Sequence, residues 1–489
     1  MTNSKTSQVL FLTIGNGINI LINFLMLPYL VRAMSYEDYG SYGQVLIVTG
    51  FLQTIFTFNL NQVSNLYLAK YQDSIRNVFS TLMRISGLLA LLSVVILFLS
   101  APILEYSFNN PKIDNLLFLS FLFMFTQVPI PVLMSVLIFL GKAKQQTKLL
   151  IISNLIKVAF IFIAIQFYNS VEILVIGIGI AGLIQLLMFY FSIPPEVRNV
   201  NQMDKKLRKE ILGTAAPLTL SSVVERSVFF IDGVMISSLL STTDYAIYRA
   251  GAFEVPFVAG LYGSISAIVM PEVARLFMGN NKAEIIRLKK KAIIHSAFII
   301  YPILVFLLFF SQPLVQSYLT ENYAKSALVF SIFNLSLLIR INDFQDVIVI
   351  AGKTKFIFYN IVWLVILNLG LNYFFIKHFG IAGSAAAFIV FLFVFAYILA
   401  KKQSQILNCR LHDLFDVISF LKILSIAIIL CCMVHLMYTF WMTNVWFLVF
   451  VSPFYLLASY LIIYKVRIIE VDLINKLVLK IPVLNKLFK

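Results

Sequence analysis

Charge is scarce in this chain: Asp, Glu, Lys and Arg make up 12% of its 489 residues, about half the share of a soluble domain. That shortage excludes a conventional water-facing surface. Cysteine is scarcer still, and its three occurrences, Cys409, Cys431 and Cys432, offer neither an even-numbered disulfide framework nor a Cys-x-x-Cys pair. The four histidines are scattered and share no metal-ligand spacing with the cysteines, so no disulfide, metal site or cofactor is expected. Long polar stretches are lacking too. The longest breaks between apolar runs, near 194–210, 273–291 and 401–417, are basic connectors, which leaves no room for a soluble domain or for an enzyme built around a large outer loop.

What fills the chain is apolar, with 60% hydrophobic residues and a mean hydropathy of +0.92. A hydrocarbon core of about 30 Å takes about 20 apolar residues per helix. About fourteen such runs can be marked off, at 8–31, 42–66, 80–104, 115–140, 148–168, 171–193, 211–240, 250–272, 292–318, 326–350, 356–376, 380–400, 418–440 and 444–464. The expected fold class is an all-α polytopic membrane protein. The first run follows only Lys5, contains Asn16, Asn19 and Asn23, and lacks a small-residue cleavage site; it reads as a retained helix rather than a signal peptide.

The net charge of +16 invites a nucleic-acid reading, but its placement speaks for orientation instead. Twenty-eight of the 38 Lys and Arg residues fall in alternate loops counted from the N-terminal segment, five in the other loops, and five (Arg84, Lys157, Arg226, Arg340 and Lys422) in or at the edges of helices. By the positive-inside rule both termini are expected in the cytoplasm, with an even number of crossings. Lys289, Lys290 and Lys291 count among the basic connector residues in this reading.

The chain also resembles itself. Glu37-Asp38-Tyr39-Gly40-Ser41-Tyr42 corresponds to Thr243-Asp244-Tyr245-Ala246-Ile247-Tyr248, and Gly141-Lys142-Ala143-Lys144 to Gly352-Lys353-Thr354-Lys355. Both matches preserve helix number modulo six and the side of the membrane, the pattern of two parallel repeats. The expected organisation is an N-lobe at 1–195, a basic connector at 196–210, a C-lobe at 211–402, two further helices at 403–464, and a basic amphipathic cytoplasmic tail at 465–489.

Charges inside apolar runs are where function is most legible. Lys157, Glu225, Arg226, Asp232, Arg340, Asp343 and Asp346 would together cost roughly 20 kcal/mol if left unpaired in lipid, more than a typical domain's whole stability. They must face water or one another. Glu225 and Asp232, seven apart, share a helix face, and Arg340 and Asp343, three apart, are spaced to pair within a helix. Arg340 stands twelve residues before Gly352, roughly 18 Å along a continuous helix. Asn16, Asn19 and Asn23 form a polar stripe. A hydrated cavity with anion-binding cations and titratable carboxylates is one reading; ion pairs and amide hydrogen bonds between packed helices are the other. His435 reads as packed rather than ligating, and Arg32 as an interfacial anchor.

The stretch Leu27-Pro28-Tyr29-Leu30-Val31-Arg32-Ala33-Met34-Ser35-Tyr36-Glu37-Asp38-Tyr39-Gly40 resembles the opening of polysaccharide-unit flippases of the O-antigen translocase type, members of the multidrug/oligosaccharidyl-lipid/polysaccharide exporter superfamily. Asp244-Tyr245-Ala246-Ile247-Tyr248, Met270-Pro271 and Gly380-Ile381-Ala382-Gly383 agree with it. The resemblance implies two parallel six-helix lobes plus two extra C-terminal helices, in a bacterial inner membrane. It further implies alternating-access transfer of an undecaprenyl-diphosphate-linked oligosaccharide repeat unit to the periplasmic leaflet, for O-antigen, lipopolysaccharide or another surface polysaccharide. Arg226, Arg340 and Lys157 are candidates for the diphosphate and Asn16, Asn19 and Asn23 for the sugars; Glu225, Asp232, Asp343 and Asp346 are candidates for ion coupling. Expected partners are the lipid-linked glycan, membrane lipids, a polysaccharide polymerase and a chain-length regulator, with the chain itself a monomer that binds no nucleic acid. Lipid II flippases are similar to a pattern with several arginines in helices 1 and 2, which is absent here. A multidrug or toxin cation antiporter of the same fold would need an acidic cavity. A membrane-embedded polysaccharide polymerase would need a catalytic constellation, and the sequence offers no convincing one.

Overall fold

The computed structural model describes residues 5–198, 204–255, 258, 269–440, 443–466 and 468, with the backbone alone for 5–14 and 16. Every regular element among them is helical. The first part of the chain runs through α1 (Lys5–Ala33), α2 (Tyr36–Phe56), α3 (Leu60–Lys70), α4 (Ile75–Phe108), α5 (Ile113–Leu119), α6 (Phe121–Gln127), α7 (Ile130–Phe139), α8 (Ala143–Ile163), α9 (Val171–Ser192), α10 (Pro195–Arg198), α11 (Lys205–Leu239) and α12 (Thr242–Gly251). It continues through α13 (residues 269–278), α14 (Lys282–Phe309), α15 (Ser311–Tyr318), α16 (Ser326–Asn334), α17 (Asp346–Ile350), α18 (Thr354–Leu407), α19 (Leu411–Leu414), α20 (Val417–Phe440) and α21 (Val445–Lys465).

Among the described residues, nine helical stretches are long and apolar enough to cross a membrane, and Gly17–Ala33 and Ser326–Leu338 are shorter apolar helices. The protein is a multi-pass membrane protein. The longest stretch, α18, is two helices joined at Gly380, whose φ of 58° and ψ of −138° are non-helical. Beyond it the chain doubles back: Ser384 Oγ donates to Asn372 Oδ1 at 2.7 Å, where a straight helix would separate residues twelve apart by about 18 Å. Gly383 permits the return, since a Cβ there would meet the Phe375 carbonyl oxygen at 2.1 Å.

Local geometry at the two repeated segments is the same. Gly141 and Gly352 have φ of 73° and 70°, and each ends a helix in a Schellman turn. Lys142 N donates to Leu137 O and Lys353 N to Ile348 O, both at 2.9 Å, the six-to-one bond that a left-handed glycine makes available. Ser35 and Ser241 each cap a helix, their hydroxyls accepting from Asp38 N and Asp244 N.

Contacts divide the chain into two compact units. The first comprises Met1–Ala252, Tyr318–Ser326 and Ile361–Phe388. In it α2 lies against α11 and α12 at glycine-width separation: a Cβ on Gly40 would meet Thr242 O at 2.3 Å and one on Gly233 would meet Ile47 Cδ1 at 2.0 Å. Small residues allow this close approach where no hydrophobic drive separates protein from lipid. Arg249 lies 5.1 Å from each of the Tyr39 and Tyr42 ring centres. Leu60, Phe79, Leu82, Leu133, Val136 and Ile211 belong to the core joining α3, α4, α7 and α11.

The second unit comprises Phe253–Ser317, Ala327–Asn360 and Ile389–Lys489. Here α20 and α21 cover α14: Ile423 and Ile463 pack with Ile293, Ile300 and Leu304, and Tyr455 Oη donates to the carbonyls of Pro302 (3.0 Å) and Ala427 (3.2 Å).

Several expected continuous helices are interrupted. The run at 42–66 breaks at Phe58 and Asn59, both left-handed (φ 50° and 49°), and that at 115–140 is divided, with Pro129 and Pro131 flanking the start of α7. The run at 326–350 unwinds between α16 and α17, so the continuous-helix distance from Arg340 to Gly352 does not apply. Asp343 Oδ1 accepts from Gln345 N at 3.0 Å, a local bond that competes with the helix. Of the run at 250–272, residues 252–255 are non-helical, whereas 256–257 and 259–268 lie outside the described residues, as does nearly all of the 465–489 tail.

A second difference concerns Lys289. Counted with the solvated connector from sequence, it is buried (2% exposed) beside Asp346 (1% exposed), with Nζ 2.5 Å from Oδ2. Lys289 Nζ and Gln403 Nε2 also donate to Asp343 O at 3.0 and 3.1 Å, satisfying a carbonyl left open by the unwound segment. Removing one member of such a pair strands the other charge. Lys289→Met is therefore expected to lower stability by about 3–5 kcal/mol, and Lys289→Met with Asp346→Leu to recover most of it, as read from unfolding in detergent.

Candidate functional site

Two adjoining cavities lie within the first unit. One, of about 380 Å³, is built by helix periodicity: residues three or four apart share a face, so α1 presents Asn19 and Asn23, α2 presents Gln53 and Thr57, and α8 presents Ser153, Asn154 and Lys157. Gln127 and Gln185 complete its polar lining. The other, of about 520 Å³, is lined by Asn59, Asn61, Gln62, Gln146, Ser222 and Arg226, and the two share Thr57, Pro131 and Met134.

The break after α2 forms part of the second wall. Asn59 Nδ2 donates to Leu218 O (2.8 Å) and Ser222 Oγ (2.7 Å), tying the left-handed residue to α11, and Ser135 Oγ donates to Asn61 Oδ1 at 2.9 Å. In the first cavity Asn19 Oδ1 accepts from Asn154 Nδ2 (2.8 Å) and Asn23 Nδ2 (3.2 Å). Gln53 Nε2 and Gln146 Oε1 are buried without a hydrogen-bond partner among the described residues, an arrangement costing roughly 1–3 kcal/mol per group unless a ligand or water completes it.

Charge distinguishes these cavities. Among the described residues no carboxylate lines either one, and neither Lys157 nor Arg226 makes a hydrogen bond or ion pair. Each cavity thus offers one unpaired cation among neutral amides and hydroxyls. That lining suits an anion with many hydroxyl groups; it offers nothing to neutralise an organic cation.

The remaining sequence candidates lie elsewhere. Glu225 is exposed beside Arg226. Asp232, on the same helix face seven residues on, is buried (4% exposed); it accepts from Tyr248 Oη at 2.9 Å and Asn372 Nδ2 at 3.0 Å. In the second unit Arg340 is paired with Glu254, not Asp343: Nη2 and Nε lie 2.7 and 3.1 Å from Glu254 Oε1, which also accepts from Ser336 Oγ. Arg340, Asn342, Asp343 and Gln345 line a separate cavity of about 130 Å³, and Asp346 is taken by Lys289. The side chain of Asn16 lies outside the described set. Arg32 donates to the carbonyls of Leu319 (2.8 Å) and Tyr318 (3.1 Å), and His435 packs on Phe309 and Phe310.

Sequence reading did not single out Gln53, Gln127, Gln146, Ser153, Asn154 or Gln185. The signal available was an amide or hydroxyl within an apolar run, strongest for Ser153 and Asn154, which fall three and four residues from Lys157.

Residues 6–277, which include every residue lining the two adjoining cavities, match the family described as polysaccharide biosynthesis protein. The chain belongs to that family. The chain is 21% identical over 336 residues to the capsular polysaccharide biosynthesis protein CapF of Staphylococcus aureus, covering 67% of this chain and 81% of that one. The fold is shared with solved membrane transporters. The lipid II flippase MurJ in an inward closed conformation superposes with a TM-score of 0.72 at 18% identity, over 94% of this chain and 98% of that one. An inward-facing multidrug resistance MATE family transporter of the MOP superfamily gives 0.64 at 13% identity, over 82% and 94%.

The Asn59 tie is directly testable. Asn59→Ala removes two hydrogen bonds of about 1 kcal/mol each and places a residue without side-chain compensation in the left-handed region, so a loss of about 2–3 kcal/mol is expected. Asn59→Gly tolerates the backbone and should lose less, as measured by thermal unfolding in detergent.

Proposed function

We propose that this protein is a flippase, not an enzyme, that carries an undecaprenyl-diphosphate-linked oligosaccharide repeat unit from the cytoplasmic to the periplasmic leaflet of a bacterial inner membrane. The observation that carries the reading is the pair of adjoining polar cavities with one unpaired cation each and no lining carboxylate among the described residues. A diphosphate needs cationic donors in a low-dielectric cleft, the sugars need neutral hydrogen-bonding groups, and the polyprenyl chain can stay in lipid. Family membership supports a polysaccharide pathway, and the likeness to CapF favours a capsule-type polymer over O-antigen. The carboxylate-free lining counts against the drug-antiporter alternative.

In this reading Arg226 holds the diphosphate. Arg340 is engaged by Glu254 within the second unit and is not assigned to the diphosphate. The lobes are 1–195 and 211–402, joined by the 196–210 connector, and the termini face the cytoplasm. Asp232 is the preferred coupling group: its described partners, Tyr248 and Asn372, are neutral, so a proton or cation would complete its neutralisation. A monomer working beside a polymerase and a chain-length regulator is the simplest assembly for this cycle.

Deletion in the producing cell is expected to accumulate the lipid-linked unit in the inner leaflet; unchanged lipid intermediates with altered drug tolerance would instead support the antiporter. In vesicles of purified protein, Arg226→Ala should lower translocation by about tenfold or more, the value of one charge-assisted contact, with Arg226→Lys intermediate. Full translocation by Arg226→Ala would remove the diphosphate assignment. Asp232→Asn should abolish the dependence of transport on pH or on the coupling cation, and unchanged dependence would remove that role.

A further inference from the structure

Lys157 is the cation that the diphosphate leaves unused. It stands fourteen residues into α8 from Ala143, about 21 Å along the axis, and eleven residues, about 16 Å, before Tyr168, where the helical stretch ends. Both helix ends lie beyond the reach of a lysine side chain, so its charge depends on the contents of the cavity it lines. The cavity around it contains Asn19, Asn23, Gln53, Gln127, Asn154 and Gln185, and a charge held at such depth without a partner is costly. Arg226 lines only the adjoining cavity. The two linings meet at Thr57, Pro131 and Met134, with Lys157 on one side of that seam and Arg226 on the other.

We propose that the glycan carried by this protein is acidic, with a sugar carboxylate seated on Lys157 while the diphosphate occupies the Arg226 compartment. This rests on the flippase reading and narrows its substrate class. A carboxylate matches the site in charge, one unit against one ammonium, and its remaining lone pairs are met by amide donors such as Gln53 Nε2, which is buried without a partner among the described residues. A phosphate substituent, carrying about −1.5 to −2 at neutral pH, brings more charge than one ammonium neutralises, as the diphosphate does beside Arg226, so it is the competing anion that the test below separates from a carboxylate. A neutral sugar would leave the lysine itself unpaired. Lys157 is thus a specificity-determining residue.

The test uses full-length protein in lipid vesicles and three undecaprenyl-diphosphate-linked disaccharides that differ at one sugar: a hexuronate, the corresponding neutral hexose, and the hexose 6-phosphate. Wild type is expected to translocate the hexuronate at least tenfold faster than the other two. Lys157→Gln should bring the hexuronate-to-hexose ratio to about one, Lys157→Arg should preserve most of the preference, and thermal unfolding of both variants reports whether they fold. Equal rates for hexuronate and hexose in wild type, preference for the hexose phosphate, or an unchanged ratio in folded Lys157→Gln would each overturn the inference while leaving the flippase reading intact. Failure of wild type to move any of the three would overturn both.

Discussion

A peptide group in hydrocarbon has no water to bond, so every interruption of a membrane helix needs a protein substitute for the lost bond. Several of the described interruptions are held by side-chain hydrogen bonds. At the left-handed Asn59 the side chain ties the break to Leu218 O of α11. Where the backbone unwinds between α16 and α17, Lys289 and Gln403 supply donors to Asp343 O and Tyr301 supplies one to Leu338 O. Asn334 serves Phe253 O in the same way. In the cavities of the first unit Lys157, Arg226, Gln53 Nε2 and Gln146 Oε1 have no partner among the described residues.

Sequence made the helical class legible because lipid imposes run length directly. It also exposed the turns at Gly141 and Gly352, because a Schellman turn depends on a residue that accepts positive φ, and glycine does so most readily. The interruptions were harder to read. Phe58-Asn59 contains neither Gly nor Pro, and the segment from Ile339 to Gln345 is no different in this respect; what stabilises both is a set of bonds to residues far away in the chain. Pairing failed for the same reason. Arg340 and Asp343 have helical spacing, but the helix they would share is absent, and Glu254, eighty-six residues earlier, takes the guanidinium. Lys289 looked like its neighbours Lys290 and Lys291 because nothing local distinguishes the lysine whose helix face turns inward.

The candidate site was legible in its charges and not in its surroundings. Lys157 and Arg226 stand out because each interrupts an apolar run. The amides that form the walls are individually unremarkable, and they become a lining only when α1, α2, α6, α8 and α9 are brought together. The family match spans all of these helices. It stops short of α20 and α21, which cover the outer flank of α14 with Ile423, Ile463 and Tyr455, a packing role separate from the polar cavities.

The pair between Lys289 and Asp346 also constrains how the protein is made. A ribosome delivers Lys289 fifty-seven residues before its carboxylate partner, and Gln403 emerges later still. During that interval the ammonium has no counter-charge and is most stable at the headgroup level. The start of α14 therefore cannot reach its final setting when first synthesised. It settles only after the α17 region has been inserted, which makes the second unit a product of delayed assembly rather than of helices placed one at a time in order of synthesis.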